Sequence, residues 1–200
     1  MRPNRENLSR IVARIPPSRH LLLGGILSSE DAKYLIRELS ILNQNPGDIL
    51  FRIESSVGGH YDAGISLYKT FKENKCRVVA LVDKEASSSA FMAIQGCKLR
   101  IARDGSILRI HNPENLPPRE PIRYNSKEEE YKERAGEVFR RHHPFVIRNR
   151  EETIQILMNH FKGKRQELEN VLETGNPLKA DEALSLGFLD GVINDDAAPA

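Results

Sequence analysis

Short apolar runs alternate with segments of helical periodicity along the first 111 residues of the chain. The run at 78–82 has no polar residue, which is typical of a strand covered on both faces. Between the runs, apolar residues recur every three or four positions, as in helices with one buried side. The predicted strands are 20–26, 49–53, 78–82, 99–102 and 107–111, with helices after residue 28, after the glycine pair at 58–59 and after the serines at 87–89. This order predicts an α/β fold with a mostly parallel sheet.

The second half of the chain has a different pattern. Residues 112–126 are rich in proline, asparagine and charge and predict a loop. The predicted helices then have apolar stripes within 131–139, within 154–161 and around 168–172, the last ending at Thr174-Gly175. A final helix at 181–186 ends at Gly187, and residues 189–193 predict a closing strand.

The first twenty residues contain five arginines and one acidic residue. An arginine-rich, acid-poor segment is typical of an organelle transit peptide, and Leu8, Val12 and Ile15 have helical spacing. The simpler interpretation is a flexible basic arm over residues 1–18 that ends at Pro16-Pro17. We expect one domain over 19–194 and a frayed tail over 195–200.

Composition narrows the function classes. The net charge is +2, so nothing favours a nucleic-acid partner, and the longest apolar stretch, 21–27, is too short to cross a membrane. Two cysteines are too few for a disulfide framework and suit a reducing compartment. Cys97 is interpreted as a small buried apolar residue. The histidines at 142, 143 and 160 lack the Cys or carboxylate spacing of a metal site, and we expect no metal.

Three segments contain residues suited to acyl-transfer chemistry. The Gly58-Gly59 pair follows a buried strand and can expose backbone amides to an oxyanion. The serines at 87–89 stand between an apolar strand and a helix, and His111 ends another strand. Each signal alone is weak, because glycine pairs make ordinary turns and serines cap helices. Together they are the parts of a serine-nucleophile site.

Four motifs in order resemble the proteolytic subunit of the Clp protease, a serine peptidase of the ClpP/crotonase-like superfamily. They are SVGG with a glycine five residues on at 56–64, ASSSAF at 86–91, IHNP at 110–113 and ADEALSLGFLD at 180–190. The resemblance covers nearly the whole domain. It implies a ClpP/crotonase-like α/β fold of repeated β-β-α and βαβ units, with a protruding helical handle at about 114–162.

The resemblance also implies the roles of individual residues. Ser87 falls on the nucleophile, His111 on the general base, and the amides of Gly59 and Ser88 on the oxyanion hole. Ser88 is the alternative nucleophile, because the loop from Gly59 is one residue short of the family length. The Ala90-Phe91 pair favours Ser87.

The third member of the catalytic triad is missing. The family aspartate should lie two or three residues before Leu178, where this chain has Gly175-Asn176-Pro177. Asn176 is the candidate replacement and Glu173 the other nearby one, or nothing orients His111. Val57 and Ser89 also replace a proline and a glycine of the family pattern. Because Asp→Asn at the third position costs about four orders of magnitude in turnover in a serine protease, we expect a slow or conditional enzyme.

The resemblance implies an ATP-dependent endopeptidase that acts on unfolded polypeptides inside stacked homo-oligomeric rings, commonly two heptamers. The chain has no phosphate-binding loop, so a partner AAA+ Clp unfoldase would use the ATP and this chain would bind no cofactor. The expected location is the bacterial cytoplasm, or an organelle matrix if the N-terminus is a transit peptide. Two alternatives stay open: a weak or inactive ring subunit that regulates an active paralogue, and an acyl-CoA hydratase or isomerase.

Overall fold

The computed structural model describes residues 5–113 and 147–194. The strands are β1 (His20–Leu27), β2 (Ile49–Gly59), β3 (Val78–Ser87), β4 (Leu99–Arg103), β5 (Ile107–Arg109), β6 (Leu178–Lys179) and β7 (Gly191–Ile193). The helices are α1 (Arg5–Ala13), α2 (Ser29–Leu42), α3 (Tyr61–Glu73), α4 (Ser88–Ile94), α5 (147–158), α6 (Arg165–Thr174) and α7 (Ala180–Leu186), with a 3₁₀ turn at Pro17–Arg19. Among the described residues, no helix is long and apolar enough to span a membrane.

The sheet has the strand order β1-β2-β3-β4-β7, and all these pairs are parallel. This confirms the predicted α/β fold with a mostly parallel sheet. The predicted helix after residue 28 begins with a capping box, since the Asp31 amide donates to Ser28 Oγ at 3.1 Å and the Ser28 amide donates to the Asp31 carboxylate at 2.9 Å. The structure describes only residues 112–113 of the predicted loop at 112–126. The predicted helical stripe at 131–139 and most of the expected handle lie outside the described residues.

The N-terminal segment differs from the expected flexible arm. Residues 5–13 form α1, which buries Leu8 and Val12 against the face of the sheet opposite to α2, α3 and α4. Ile15 is buried in the same cluster, with Leu50 and Leu81. The helical spacing of these apolar residues therefore has a structural cause: they cover a sheet face that would otherwise be exposed to water.

β3 changes its partner part-way along, and this positions the site. Its residues 79–82 pair with 99–102 of β4, and its residues 85–87 pair with 107–109 of β5. At the point of change the Asp83 carboxylate accepts from Arg52 Nε at 2.5 Å and Arg103 Nε at 2.7 Å. Asp83 and Arg103 side chains are about nine-tenths buried, so the ion pairs join β2, β3 and β4 in a poorly solvated place.

β5 also pairs with β6, and this pairing brings the C-terminal part of the chain close to the candidate site. β6 pairs antiparallel with β5, with Leu178 opposite Leu108. This pairing brings the end of α6 next to the residues that follow β5, and the Asn112 amide donates to Leu172 O at 3.0 Å. Segments that lie sixty to seventy positions apart in the chain are therefore in contact here.

Candidate active site

Ser87 is the last residue of β3 and the N-cap of α4. The next residue, Ser88, has φ +52°, and it is the one non-glycine residue with positive φ in the described part of the chain. This conformation is costly for an L-residue, by about 1–2 kcal/mol. Serine hydrolases of other folds place the nucleophile on a similarly strained turn from strand to helix. Backbone strain of this kind clusters at functional sites, and here it marks the turn that Ser87 and Ser88 form together.

Gly58 supports this turn from the neighbouring strand. A Cβ added at Gly58 would lie 2.6 Å from Ser87 O and 2.7 Å from Ser88 Cβ, and φ there is +86°. Only glycine fits at this position. Gly59 lies on the β1 side instead, where an added Cβ would be 2.3 Å from Leu27 O. We predicted that the glycine pair forms a turn after the strand, but β2 continues through both residues, because β1 remains paired with it as far as Leu27.

The Ser87 hydroxyl donates a hydrogen bond to Glu85 Oε1 at 2.7 Å. Residues two apart in a strand point to the same face, so the register of β3 fixes this pair. The sequence pattern did not indicate Glu85, because the predicted strand ended at residue 82. The sequence does contain an acidic residue two positions before the serine. The pair can be recognised only if the strand continues to residue 87, because only then do residues 85 and 87 share a face.

His111 lies two residues beyond Arg109, which is the register partner of Ser87 on the adjacent strand. Its Nδ1 is 2.8 Å from Asn112 O. Because a carbonyl only accepts, this contact places the proton of a neutral imidazole on Nδ1 and leaves Nε2 as the acceptor, the tautomer that a general base requires. Within residues 5–113 and 147–194, Ser87 and His111 share no hydrogen bond. Catalytic hydrogen bonds are often long or poorly aligned without substrate.

Gly175 lies beside His111, in the segment where the resemblance places the family aspartate. It caps α6 with φ +56°, which confirms the predicted helix end, and an added Cβ would be 3.1 Å from His111 Cβ. Arg109 Nε donates to Gly175 O at 2.7 Å, so a cation lies on this side of the histidine. Asn176 is exposed and makes no hydrogen bond to the described residues. Glu173 is also exposed and lies 3.6 Å from Arg150.

The other residues that the sequence singled out lie away from Ser87. Cys97 is buried, and burial raises the pKa of its thiol strongly, so it packs as an apolar side chain. Burial, and then the charge of Arg100, lowers the pKa of His160, whose Nε2 contacts Gln95 O at 3.1 Å. His142 and His143 lie outside the described residues. The described residues contain no cluster of three or more metal-ligating side chains.

A family model of the Clp protease matches residues 3–196 of the chain. The chain belongs to the Clp protease family. The match confirms the resemblance drawn from the four motifs, and it covers the strand, turn and helix around Ser87 as well as α6 and α7. The chain therefore has the scaffold of a ClpP-like peptidase, a class of serine peptidases.

Proposed function

We propose that the chain is a Clp-type serine endopeptidase subunit in which Ser87 is the nucleophile. The observation that carries the proposal is the strained turn at Ser87 and Ser88, supported by Gly58 and facing the strand that leads to His111. Ser87 Oγ attacks a peptide carbonyl, and His111 accepts its proton and returns it to the leaving amine. The amides of Gly59 and Ser88 stabilise the oxyanion.

Assembly and partners follow from the family and belong to the same proposal. The chain would form stacked homo-oligomeric rings that receive unfolded polypeptides from an AAA+ Clp unfoldase in the bacterial cytoplasm. ATP would be hydrolysed by that partner, with no cofactor on this chain. Asn112 O, which lies 2.8 Å from His111 Nδ1, orients the imidazole in place of a carboxylate, and Asn176, the residue after Gly175, is the candidate side chain to assist it.

A second candidate function is a ring subunit of low or no activity that supports an active paralogue. It is favoured by the base side of the site, where Gly175 replaces the carboxylate and Arg109 adds a positive charge. A neutral carbonyl stabilises an imidazolium less than a carboxylate does. The inactive subunit predicts an unreactive Ser87, whereas the peptidase predicts a reactive one.

The test is labelling of the full chain with a fluorophosphonate probe, read by intact mass. We expect one adduct on the wild type, none on Ser87→Ala, a reduced rate on His111→Ala and an unchanged rate on Ser88→Ala. An adduct lost in Ser88→Ala instead would move the nucleophile by one residue. A folded, assembled wild type with no adduct would favour the inactive subunit.

A further inference from the structure

The acceptor that Ser87 uses in this structure is a carboxylate and not the histidine. We propose that Glu85 is a second proton acceptor for Ser87, which lets the site react at acidic pH, where an imidazole base is protonated. This rests on the proposed function, since it assumes that Ser87 is the nucleophile. The carrying observation is the 2.7 Å hydrogen bond from Ser87 Oγ to Glu85 Oε1. Such a bond to an ionised acceptor is charge-assisted and directs the hydroxyl proton at the carboxylate.

The strand holds Glu85 in place. Glu85 pairs in register with Ser55 of β2 and Ile107 of β5, so β3 is fixed on both sides at this residue. Ser87 is 4% exposed, so bulk water competes little with Glu85 for its proton. The pair is thus built on rigid sheet and does not depend on the mobility of a loop.

The charged groups around Glu85 leave its carboxylate available for Ser87. Neither register partner of Glu85 is charged. Asp83, two residues earlier, is held by Arg52 and Arg103. Lys84, adjacent in the chain, lies 3.9 Å from Glu54 of β2.

A positive charge near His111 explains why a second proton acceptor for Ser87 matters. Arg109 is the register partner of Ser87, and its Nη2 would lie 3.9 Å from a Cβ at Gly175, which in turn would touch His111. A cation near His111 opposes formation of a second positive charge on the imidazole. A carboxylate that accepts the proton becomes neutral and meets no such opposition.

The proton transfer balances without any further reactant. The Oγ–H bond of Ser87 breaks as the Oγ–C bond forms, and the proton moves to Glu85 Oε1. The carbonyl π electrons move to the oxygen and return when the C–N bond breaks. Glu85 then gives its proton to the leaving amine, and water repeats the cycle on the acyl-enzyme with Glu85 again as acceptor.

The experiment measures the fluorophosphonate labelling rate of the full chain at about pH 5 and about pH 8, where carboxylates are ionised but imidazole is protonated only at the lower value. The variants are Glu85→Gln, Glu85→Asp and His111→Gln, with Glu54→Gln as the matched carboxylate control on β2. We expect Glu85→Gln to lose about a hundredfold at the lower pH and His111→Gln to lose most at the higher pH. Glu85→Asp should restore part of the acidic rate, and Glu54→Gln should match the wild type.

Each other outcome overturns the inference in a recognisable way. Equal acidic rates for Glu85→Gln and the wild type would make Glu85 a structural partner only. Faster labelling of Glu85→Gln at both pH values would mean that Glu85 restrains the hydroxyl. A wild type labelled at about pH 8 but not at about pH 5 would leave His111 as the sole base. A folded wild type labelled at neither value would refute the proposed function itself and, with it, this inference.

Discussion

The two halves of the candidate site are built differently. The nucleophile half, formed by the turn at Ser87 and by Gly58, is buried and closely packed, with an added Cβ at Gly58 only 2.6 Å from Ser87 O. In the base half, formed by His111 and the end of α6 at Gly175, the histidine is half-buried, and among the described residues no carboxylate is hydrogen-bonded to it. The two halves thus differ in how firmly the surrounding chain holds the residues proposed for catalysis.

This difference indicates where each half can be tested. Ser88 has a positive φ in the nucleophile half, a conformation that costs stability and that clusters at functional sites. In the base half, Asn112 O contacts His111 Nδ1 and so favours its tautomer, and Arg109 Nε donates to Gly175 O and holds the end of α6 in place. A weakened base beside an intact nucleophile predicts slow acylation more than loss of substrate binding.

The largest expected effect is on the stability of the fold, and it concerns both halves of the candidate site. Asp83 lies where β3 leaves β4 and continues to β5, so Asp83→Asn leaves two arginines without their shared carboxylate. We expect the free energy of unfolding to fall by about 3 kcal/mol. The measurement is urea unfolding, with Asp48→Asn, which removes the more exposed pair with Arg77, as the control. Equal losses in the two variants would contradict this role for Asp83.

The next effect is confined to the nucleophile half. Gly58→Ala forces a Cβ against Ser87 O at a residue with φ +86°, so the turn must move. We expect the labelling rate to fall about a hundredfold, since a displacement of about 1 Å can cost that much. Gly24→Ala is the control, because an added Cβ at Gly24 meets nothing within 4 Å. A Gly58→Ala variant that labels like Gly24→Ala would mean that the turn tolerates displacement.

The next prediction tests the base half by placing a carboxylate beside His111. Gly175→Asp places the group beside His111, and aspartate tolerates the left-handed backbone better than most residues. We expect its labelling rate at neutral pH to exceed that of Gly175→Ala by about tenfold or more, because a carboxylate stabilises the imidazolium. Asn176→Ala should lower the rate only slightly, because Asn112 O already contacts His111 Nδ1. A large drop in Asn176→Ala, with no gain in Gly175→Asp, would show that Asn176 already fills the third position.

The smallest effect concerns the support of α4, the helix that follows Ser87. Burial lowers the pKa of His160 below its usual range, so unfolded chains bind a proton there more readily than folded ones. Stability therefore falls as pH falls through the usual histidine range, and we expect a larger loss between about pH 7.5 and about pH 5.5 in the wild type than in His160→Gln. His60→Gln, which changes an exposed histidine, is the control for urea unfolding. A pH dependence equal in His160→Gln and the wild type would contradict a neutral His160.

Local pattern was sufficient for most elements. Ser87 and His111 were chosen on the family motifs that contain them, ASSSAF and IHNP, and their roles stay predictions. Local pattern failed at Gly58-Gly59 and at residues 5–15. In both places a neighbouring element decides the outcome: β1 keeps β2 extended through the glycines, and the open face of the sheet binds α1. Hydrophobic spacing showed that Leu8 and Val12 could lie on one side of a helix, but not that a surface was available to bury them.

The sequence by itself determined the α/β order of elements and the family, because these depend on local periodicity and on four motifs read in order. Only the tertiary structure decided that Glu85 holds the Ser87 hydroxyl, that Gly58 rather than Gly59 supports the turn, and that Arg109 and Gly175 flank His111. The physical reason is strand register. Which side chains share a face across β2, β3 and β5 depends on pairings between distant segments, and no local pattern specifies them.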